Sequence, residues 1–157
     1  MRDKLSARPA QLPSGIGVVA RVGFVVGALL LLWSGYLHLH LWLDFGYRHV
    51  PTIGPLFLFQ AITGLVLAML IVRVRRVWTA LLGMVFAAST MTGFLVSIHD
   101  ALFGFKDSWS APFAQQAFAI EVAAAVVLFA TGALCLSGSG ASPAAATRSR
   151  GLPSTRA

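Results

Sequence analysis

The sequence predicts an all-α membrane protein, a polytopic bundle of four transmembrane helices that run up and down. Of its 157 residues, 57% are hydrophobic and only 11% are charged, whereas a soluble domain carries about 25% charged residues. Each of four apolar runs is close to the roughly 20 residues that a helix needs to cross a bilayer. Because backbone groups in lipid must bond to one another, these runs are predicted to be helices and not strands. They cover about 22–43, 56–72, 77–98 and 115–136.

The basic residues predict the orientation of the bundle. Ten of the twelve Lys and Arg residues lie in the N-terminal segment, between the second and third runs, or in the C-terminal tail. Short flanks rich in Lys and Arg stay in the cytoplasm, so both termini are predicted to be inside. The arginines that border the apolar runs are assigned to topology or to lipid headgroups, and they are Arg21, Arg73, Arg75 and Arg76.

The same distribution bears on partners and location. The basic residues are spread between apolar runs and do not form the stripe of a nucleic-acid-binding surface, so no nucleic-acid partner is expected. A composition rich in Arg, Ala, Gly and Val suggests a high-GC bacterium. The predicted location is therefore the bacterial inner membrane, with the lipid bilayer as partner.

The first helix follows a basic cytoplasmic segment, residues 1–20. Its apolar run is about twice as long as the core of a signal peptide, and no small-x-small cleavage site precedes the polar turn, so we expect a mature helix. Within it, "GFVVG" from Gly23 to Gly27 fits the small-xxx-small pattern, and we expect it to pack closely inside the bundle.

Local chemistry agrees with the remaining boundaries. Pro55 opens the second helix, where its missing N–H costs nothing. Ser110 and Pro112 precede the fourth helix by a turn or two. The tail, 138–157, lacks the apolar content to fold and is predicted to be disordered.

Three of the four histidines lie in "SGYLHLHLWLDFGYRHVPTIGP", from Ser34 to Pro55. At roughly 100° per residue, His38 and His40 point to nearly opposite faces of a helix, so they do not chelate one metal together. We expect His40 to point into the bundle, because Asp44 lies one turn further on and can accept its ring N–H. The same pairing is what a structural histidine with a satisfied ring looks like.

Glu121 is the most informative single residue. Its helical face continues through small residues such as Ala124, Ala125 and Gly132, and small residues mark the faces where membrane helices approach closely. We therefore expect Glu121 inside the bundle. An acidic side chain within the membrane costs about 2.5–3.5 kcal/mol on translocon scales and usually marks function.

Polar residues from several helices share one depth near the predicted outer surface. The candidate ligand or proton site consists of His40, His99, Glu121, Gln60 and Asp44. One interpretation is a structural polar cluster that fixes helix register. The other is a site for a metal ion or haem, with His40 and His99 as ligands, or for a quinone headgroup. The default expectation is no cofactor, and the lone Cys135 excludes an intrachain disulfide or a Cys-rich metal site.

The chain contains no nucleophile elbow, phosphate-binding Gly loop or HExxH motif. The leading prediction is therefore a small, non-enzymatic membrane protein, a structural or accessory component of a membrane complex or a homo-oligomer. The alternative is a redox or proton-transfer role for the outward His/Glu site. A third hypothesis is a small-solute transporter acting as an oligomer.

The segment "ARVGFVVGALLLLWSGYLHL", with Arg21, Gly27, Ser34 and Gly35, resembles the first helix of the small four-helix bacterial membrane proteins grouped as DoxX-like. The overall topology is similar too. The resemblance implies at most a link to quinone or thiol redox chemistry. The His-rich helix end and "YRHVPTIGPLFLFQ" depart from that pattern. The chain also resembles small integral membrane proteins of high-GC bacteria.

Overall fold

The computed structural model describes residues 14–139, and in this part of the chain the fold is all-α, as predicted. Four long helices are present, and each is long and apolar enough to cross a membrane. The protein is therefore a multi-pass membrane protein with a four-helix architecture. The predictions for 1–13 and for most of the tail, 140–157, lie outside the described residues. The helices are α1 (Ser14–Asp44), α2 (Ile53–Val74), α3 (Val77–Asp100) and α4 (Ala114–Ser139), with a short 3-10 helix at Tyr47–His49.

The helices extend beyond the apolar runs in the sequence. With 31 residues and a rise of about 1.5 Å per residue, α1 is longer than the hydrocarbon core is thick. Helix α2 begins at Ile53, so Pro55 lies in its first turn, where backbone N–H groups have no partner inside the helix. The helical ends therefore reach from the lipid core into the interfacial region.

The four helices are not packed evenly around a ring. Helix α1 packs along both α2 and α4, and α4 packs along α3, whereas α2 and α3 touch only to a limited extent. We call the end with the connections 45–52 and 101–113 the loop end. The opposite end, where α2 and α3 are joined at Arg75 and Arg76, is the arginine end. The order around the bundle is thus α2, α1, α4, α3, with a gap between its first and last members.

Small residues set the closest helix contacts. A Cβ atom on Gly64 would lie 2.9 Å from the carbonyl oxygen of Leu31, so α1 and α2 meet backbone to backbone. On the other side of α1, Gly23 faces Thr131 and Gly27 faces Leu128 of α4. The "GFVVG" segment therefore packs inside the bundle, as expected.

The core is narrow and built from alanines and a few larger apolar side chains. Leu31, Ile71 and Leu128 are fully buried at the centre. Around them lie Ala80, Ala87 and Ala124, which are also fully buried. Large apolar side chains cover the outside of all four helices, which is the surface that a lipid environment requires.

Candidate functional site

A buried hydrogen bond links α1 to α4 in the half of the bundle nearest the loop end. The hydroxyl of Ser34 donates to Oε1 of Glu121 across 3.0 Å, and the two residues are only 1% and 2% exposed. The close contacts of Gly23 and Gly27 with α4 set the antiparallel register that brings the pair together. The prediction that Glu121 points into the bundle is thus confirmed.

His38 lies one turn from Ser34 on the same face of α1 and is 8% exposed. Its Nδ1 lies 2.9 Å from the carbonyl oxygen of Ser34. A carbonyl only accepts hydrogen bonds, so Nδ1 carries the proton and donates. The other ring nitrogen, Nε2, is then a hydrogen-bond acceptor in the neutral imidazole, and no described residue bonds to it. The ring packs against Phe57 of α2 at a centroid distance of 5.0 Å.

The expectation that His40 is the inward histidine is wrong. Its side chain is 31% exposed, and its Nδ1 lies 2.7 Å from Oδ2 of Asp44, whose side chain is 59% exposed. The pairing with Asp44 was therefore predicted correctly, but it lies on the outer face of α1. The ring of His40 stacks on Tyr36 and meets the rings of Phe45 and Phe113 edge-on.

The physical reason is the small-residue face of α1. Gly27, Ser34 and Gly35 lie on the side that approaches the neighbouring helices, and His38 follows them at helical spacing. A face of small residues also predicted correctly that Glu121 is buried. The prediction for His40 relied instead on the nearby carboxylate of Asp44, which can bond equally well to a histidine at the surface.

His99 does not join the buried cluster. It is exposed in the last turn of α3, and its Nδ1 donates to the carbonyl of Leu95, 2.8 Å away. Among the described residues, no hydrogen bond or ring contact connects His99 to His40, and no group of three or more His, Cys, Asp or Glu side chains could hold a metal ion. A metal or haem centre on His40 and His99 stays a prediction.

The predicted Gln60 lines a cavity at the loop end. This cavity has a volume of about 270 Å³ and lies between the loop-end halves of α2 and α3, where these helices separate. Gln60 is 8% exposed, and its Nε2 is a buried nitrogen without a hydrogen-bonding partner in the described structure. Leaving such a donor unpaired costs about 1–3 kcal/mol.

Aromatic rings lie beside the cavity at the loop end. Phe57 and Phe105 line it, and both contact the ring of Tyr47, at centroid distances of 4.6 Å and 5.8 Å. Phe59 also lines the cavity, yet it is 62% exposed on the outside of the bundle. The lining of the cavity therefore includes an apolar side chain that lies on the outer surface of the bundle.

A second, smaller cavity of about 40 Å³ adjoins the first and is lined by His38 and Glu121 together with Tyr47 and Asp107. A polar cavity of this size can hold a water molecule. Burial raises the pKa of the Asp107 carboxyl above its usual value. Burial, and to a lesser extent the charge of Asp107, raises the pKa of Tyr47.

Ser34, His38 and Asp107 are members of the site that the sequence pattern did not predict. For Ser34 and His38 the signal was present in the small-residue face of α1. For Asp107 no signal was available, because its position depends on how the connection folds back: its backbone N–H donates to the carbonyl of Ser97, 3.2 Å away.

No protein-family model matches this chain, and no curated protein or solved structure is significantly similar to it. The resemblance to DoxX-like proteins therefore stays a prediction, and the site is interpreted from its own geometry.

Proposed function

We propose that the protein binds a membrane-soluble molecule of the quinone or quinol class in the cavity between α2 and α3. One observation carries this proposal: the buried Nε2 of Gln60 has no partner in the structure, while Gln60 lines a cavity of about 270 Å³. Native proteins pair most buried polar groups. A hydrogen-bond acceptor on a bound molecule would satisfy this one.

The polar groups that line the cavity complement such a headgroup. Gln60 offers a donor for a quinone carbonyl, and Nε2 of His38 offers an acceptor for a quinol hydroxyl. The remaining wall is largely apolar and aromatic, with Phe57, Phe86 and Phe94 among its members. This combination of an unpaired donor, an imidazole acceptor and flat apolar walls suits a planar ring with oxygens at its edge.

The size and position of the cavity also favour a quinone or quinol. Pockets for drug-sized ligands measure about 300–1,000 Å³, so this cavity would hold a headgroup and leave a long apolar tail outside. Phe59 lines the cavity and is exposed on the outer surface of the bundle, so a tail that leaves the cavity past this ring would lie in lipid. Access from the bilayer is what distinguishes this ligand class from a water-soluble metabolite.

Glu121 and Ser34 add polar groups beside the proposed site. Quinone and quinol differ by two electrons and two protons: the quinone oxygens only accept hydrogen bonds, whereas the quinol hydroxyls also donate them. The small cavity beside Glu121 and His38 would hold a water molecule that bridges these side chains. The proposal concerns binding, and it assigns no electron donor and no proton transfer to the bound molecule.

The orientation in the membrane is part of the proposal. Ten of the twelve Lys and Arg residues belong to the sequence segments that are predicted to be cytoplasmic, and this distribution supports a cytoplasmic arginine end and an outward loop end in a bacterial inner membrane. A role as an accessory subunit, a homo-oligomer or an oligomeric transporter stays a prediction, since no described surface favours one of them.

Extraction of bound lipids provides the first experiment. The protein is purified in mild detergent from its native membranes, the bound molecules are extracted with organic solvent, and quinones are quantified by mass spectrometry. We expect a quinone at close to one equivalent in the native protein and a marked loss in Gln60→Leu. A native protein that carries no more quinone than an unrelated four-helix membrane protein would contradict the proposal.

A further inference from the structure

The arginine end carries a second candidate site, independent of the proposed quinone site. Arg21 of α1 and Arg75 at the end of α2 line one groove of about 240 Å³, together with Val22, Val25 and Val26. The groove lies on the outside of the bundle, since all three valines are between 38% and 56% exposed. It combines two cationic groups with an apolar floor.

The helix register places the two arginines at the same level of the bundle. At the close contact between α1 and α2, Leu31 lies beside Gly64 and Gly35 lies beside Ala61. The helices are antiparallel, so each residue towards the N-terminus of α1 is matched by one towards the C-terminus of α2. The same pairing carried to the arginine end brings Arg21 opposite Arg75.

No described carboxylate neutralises this pair. The acidic side chains in the described residues lie in the loop-end half of the bundle, at Asp44, Asp100, Asp107 and Glu121. The Nε of Arg75 donates to the carbonyl of Val72, 2.9 Å away, which leaves its terminal nitrogens available for another acceptor. Two like charges at the edge of a low-dielectric phase repel each other, and an anion between them would remove that repulsion.

We propose that Arg21 and Arg75 bind the phosphate of an anionic phospholipid, with an acyl chain lying along Val22, Val25 and Val26. Arginine pairs recognise phosphate through charge-assisted hydrogen bonds, and basic pockets between membrane helices bind such headgroups. The valine floor favours a lipid over a free phosphate, because only a lipid covers both the cationic and the apolar part of the groove.

The experiment measures binding of short-chain phosphatidylglycerol to the full-length protein in a neutral detergent, with phosphatidylcholine and inorganic phosphate as comparison ligands. We expect phosphatidylglycerol to bind with a defined stoichiometry and the other two to bind at least about tenfold more weakly, a difference of about 1.4 kcal/mol. Phosphate binding as tight as the lipid would overturn the assignment to a lipid.

Three variants test the site itself. Arg21→Gln and Arg75→Gln should each weaken phosphatidylglycerol binding about tenfold, because each removes one charged partner of the phosphate. Arg73→Gln is the matched control, since Arg73 is exposed on the same end of α2 but does not line the groove. Equal losses in all three variants would indicate general attraction to basic residues and would contradict a defined site. Helix content measured by circular dichroism checks that each variant is folded.

Discussion

The hydroxyl of Ser34 and the carboxyl of Glu121 lie 3.0 Å apart and join α1 to α4 through a side-chain hydrogen bond in the interior of the bundle. The next polar group on the same face of α1 is the imidazole of His38, which donates to the Ser34 backbone. The bond thus connects two helices beside His38, which borders both cavities. Its contribution to stability can be measured.

Replacing Ser34 by Ala should destabilise the protein by about 1–3 kcal/mol, because Oε1 of Glu121 then stays buried without a partner. The free energy of unfolding is measured by titration of detergent-solubilised protein with SDS. Ser137→Ala is the control, since that hydroxyl is exposed and bonds only to the carbonyl of Ala133 in its own helix. In a Glu121→Leu background, Ser34→Ala should cost clearly less, and an undiminished cost would contradict the pairing.

Gly64→Ala should be one of the most destabilising single substitutions in the bundle. The added Cβ would lie 2.9 Å from the backbone oxygen of Leu31, so α1 and α2 must separate at a cost of about 1–3 kcal/mol. The same SDS titration measures the effect. Gly17→Ala is the matched control, because no atom lies within 4 Å of the position of its new Cβ. Equal stability of the two variants would show that the close contact is absent.

Gln60→Leu should leave the ligand-free protein as stable as the native protein or make it more stable. The substitution removes a buried donor that has no partner, and an unpaired buried donor costs about 1–3 kcal/mol. Unfolding is measured after the bound lipids have been stripped. If Gln60→Leu instead lost about 1–3 kcal/mol of stability, Gln60 would have a structural partner. That result would remove the main support for the ligand site.

The pH dependence of stability tests the position of Asp107. Burial raises the pKa of this carboxyl in the folded protein, so the folded state holds the proton more tightly than the unfolded chain. Its contribution is most favourable below the unfolded pKa and is lost as pH rises through the folded value. Asp107→Asn should therefore gain melting temperature relative to the native protein as pH rises through this window, and should show little difference below it.

A hydrated carboxyl at Asp107 would contradict this prediction. If the carboxyl were fully hydrated, the melting temperatures of the native protein and of Asp107→Asn would differ by a constant amount across the same pH range. Asp100→Asn is the control, because Asp100 is an exposed carboxyl at the end of α3.

The sequence was sufficient for the helices because their length and lack of charge are set by the membrane. All four apolar runs correspond to helices, and each helix extends beyond its run at one end or at both. Glu121 was placed correctly because its small-residue face is a local property of one helix. Gly23 and Gly27 were likewise expected in a helix contact, and they face Thr131 and Leu128.

The prediction that His40 and not His38 points inward was wrong, because it relied on the nearby carboxylate of Asp44 and not on the small-residue face of α1. A carboxylate one turn away bonds a histidine equally well on either side of a helix, so Asp44 carried no information about burial. The small residues that precede His38 did carry it. Asp107 was beyond local reasoning, because its connection contains positive φ angles at Ala101, Phe103 and Gly104, and these turn the chain back towards the bundle.

The most direct test of the account is a binding titration with decylubiquinone, followed by quenching of tryptophan fluorescence in protein freed of its native lipids. Trp109 is a suitable reporter because its ring contacts Phe94 at 4.9 Å, and Phe94 lines the cavity. The native protein should bind at one site. Gln60→Leu should weaken binding about tenfold, the equivalent of about 1.4 kcal/mol for one hydrogen bond in a dry cavity.

Gln115→Leu is the matched control for this titration, because Gln115 is an exposed glutamine whose side chain bonds to the carbonyl of Trp109 outside the cavity. Its affinity should stay within about twofold of the native value, well below the effect of one hydrogen bond. Saturable binding that depends on Gln60 and not on Gln115 is the result that the account predicts. Quenching that is non-saturable, or identical in all three proteins, would contradict it.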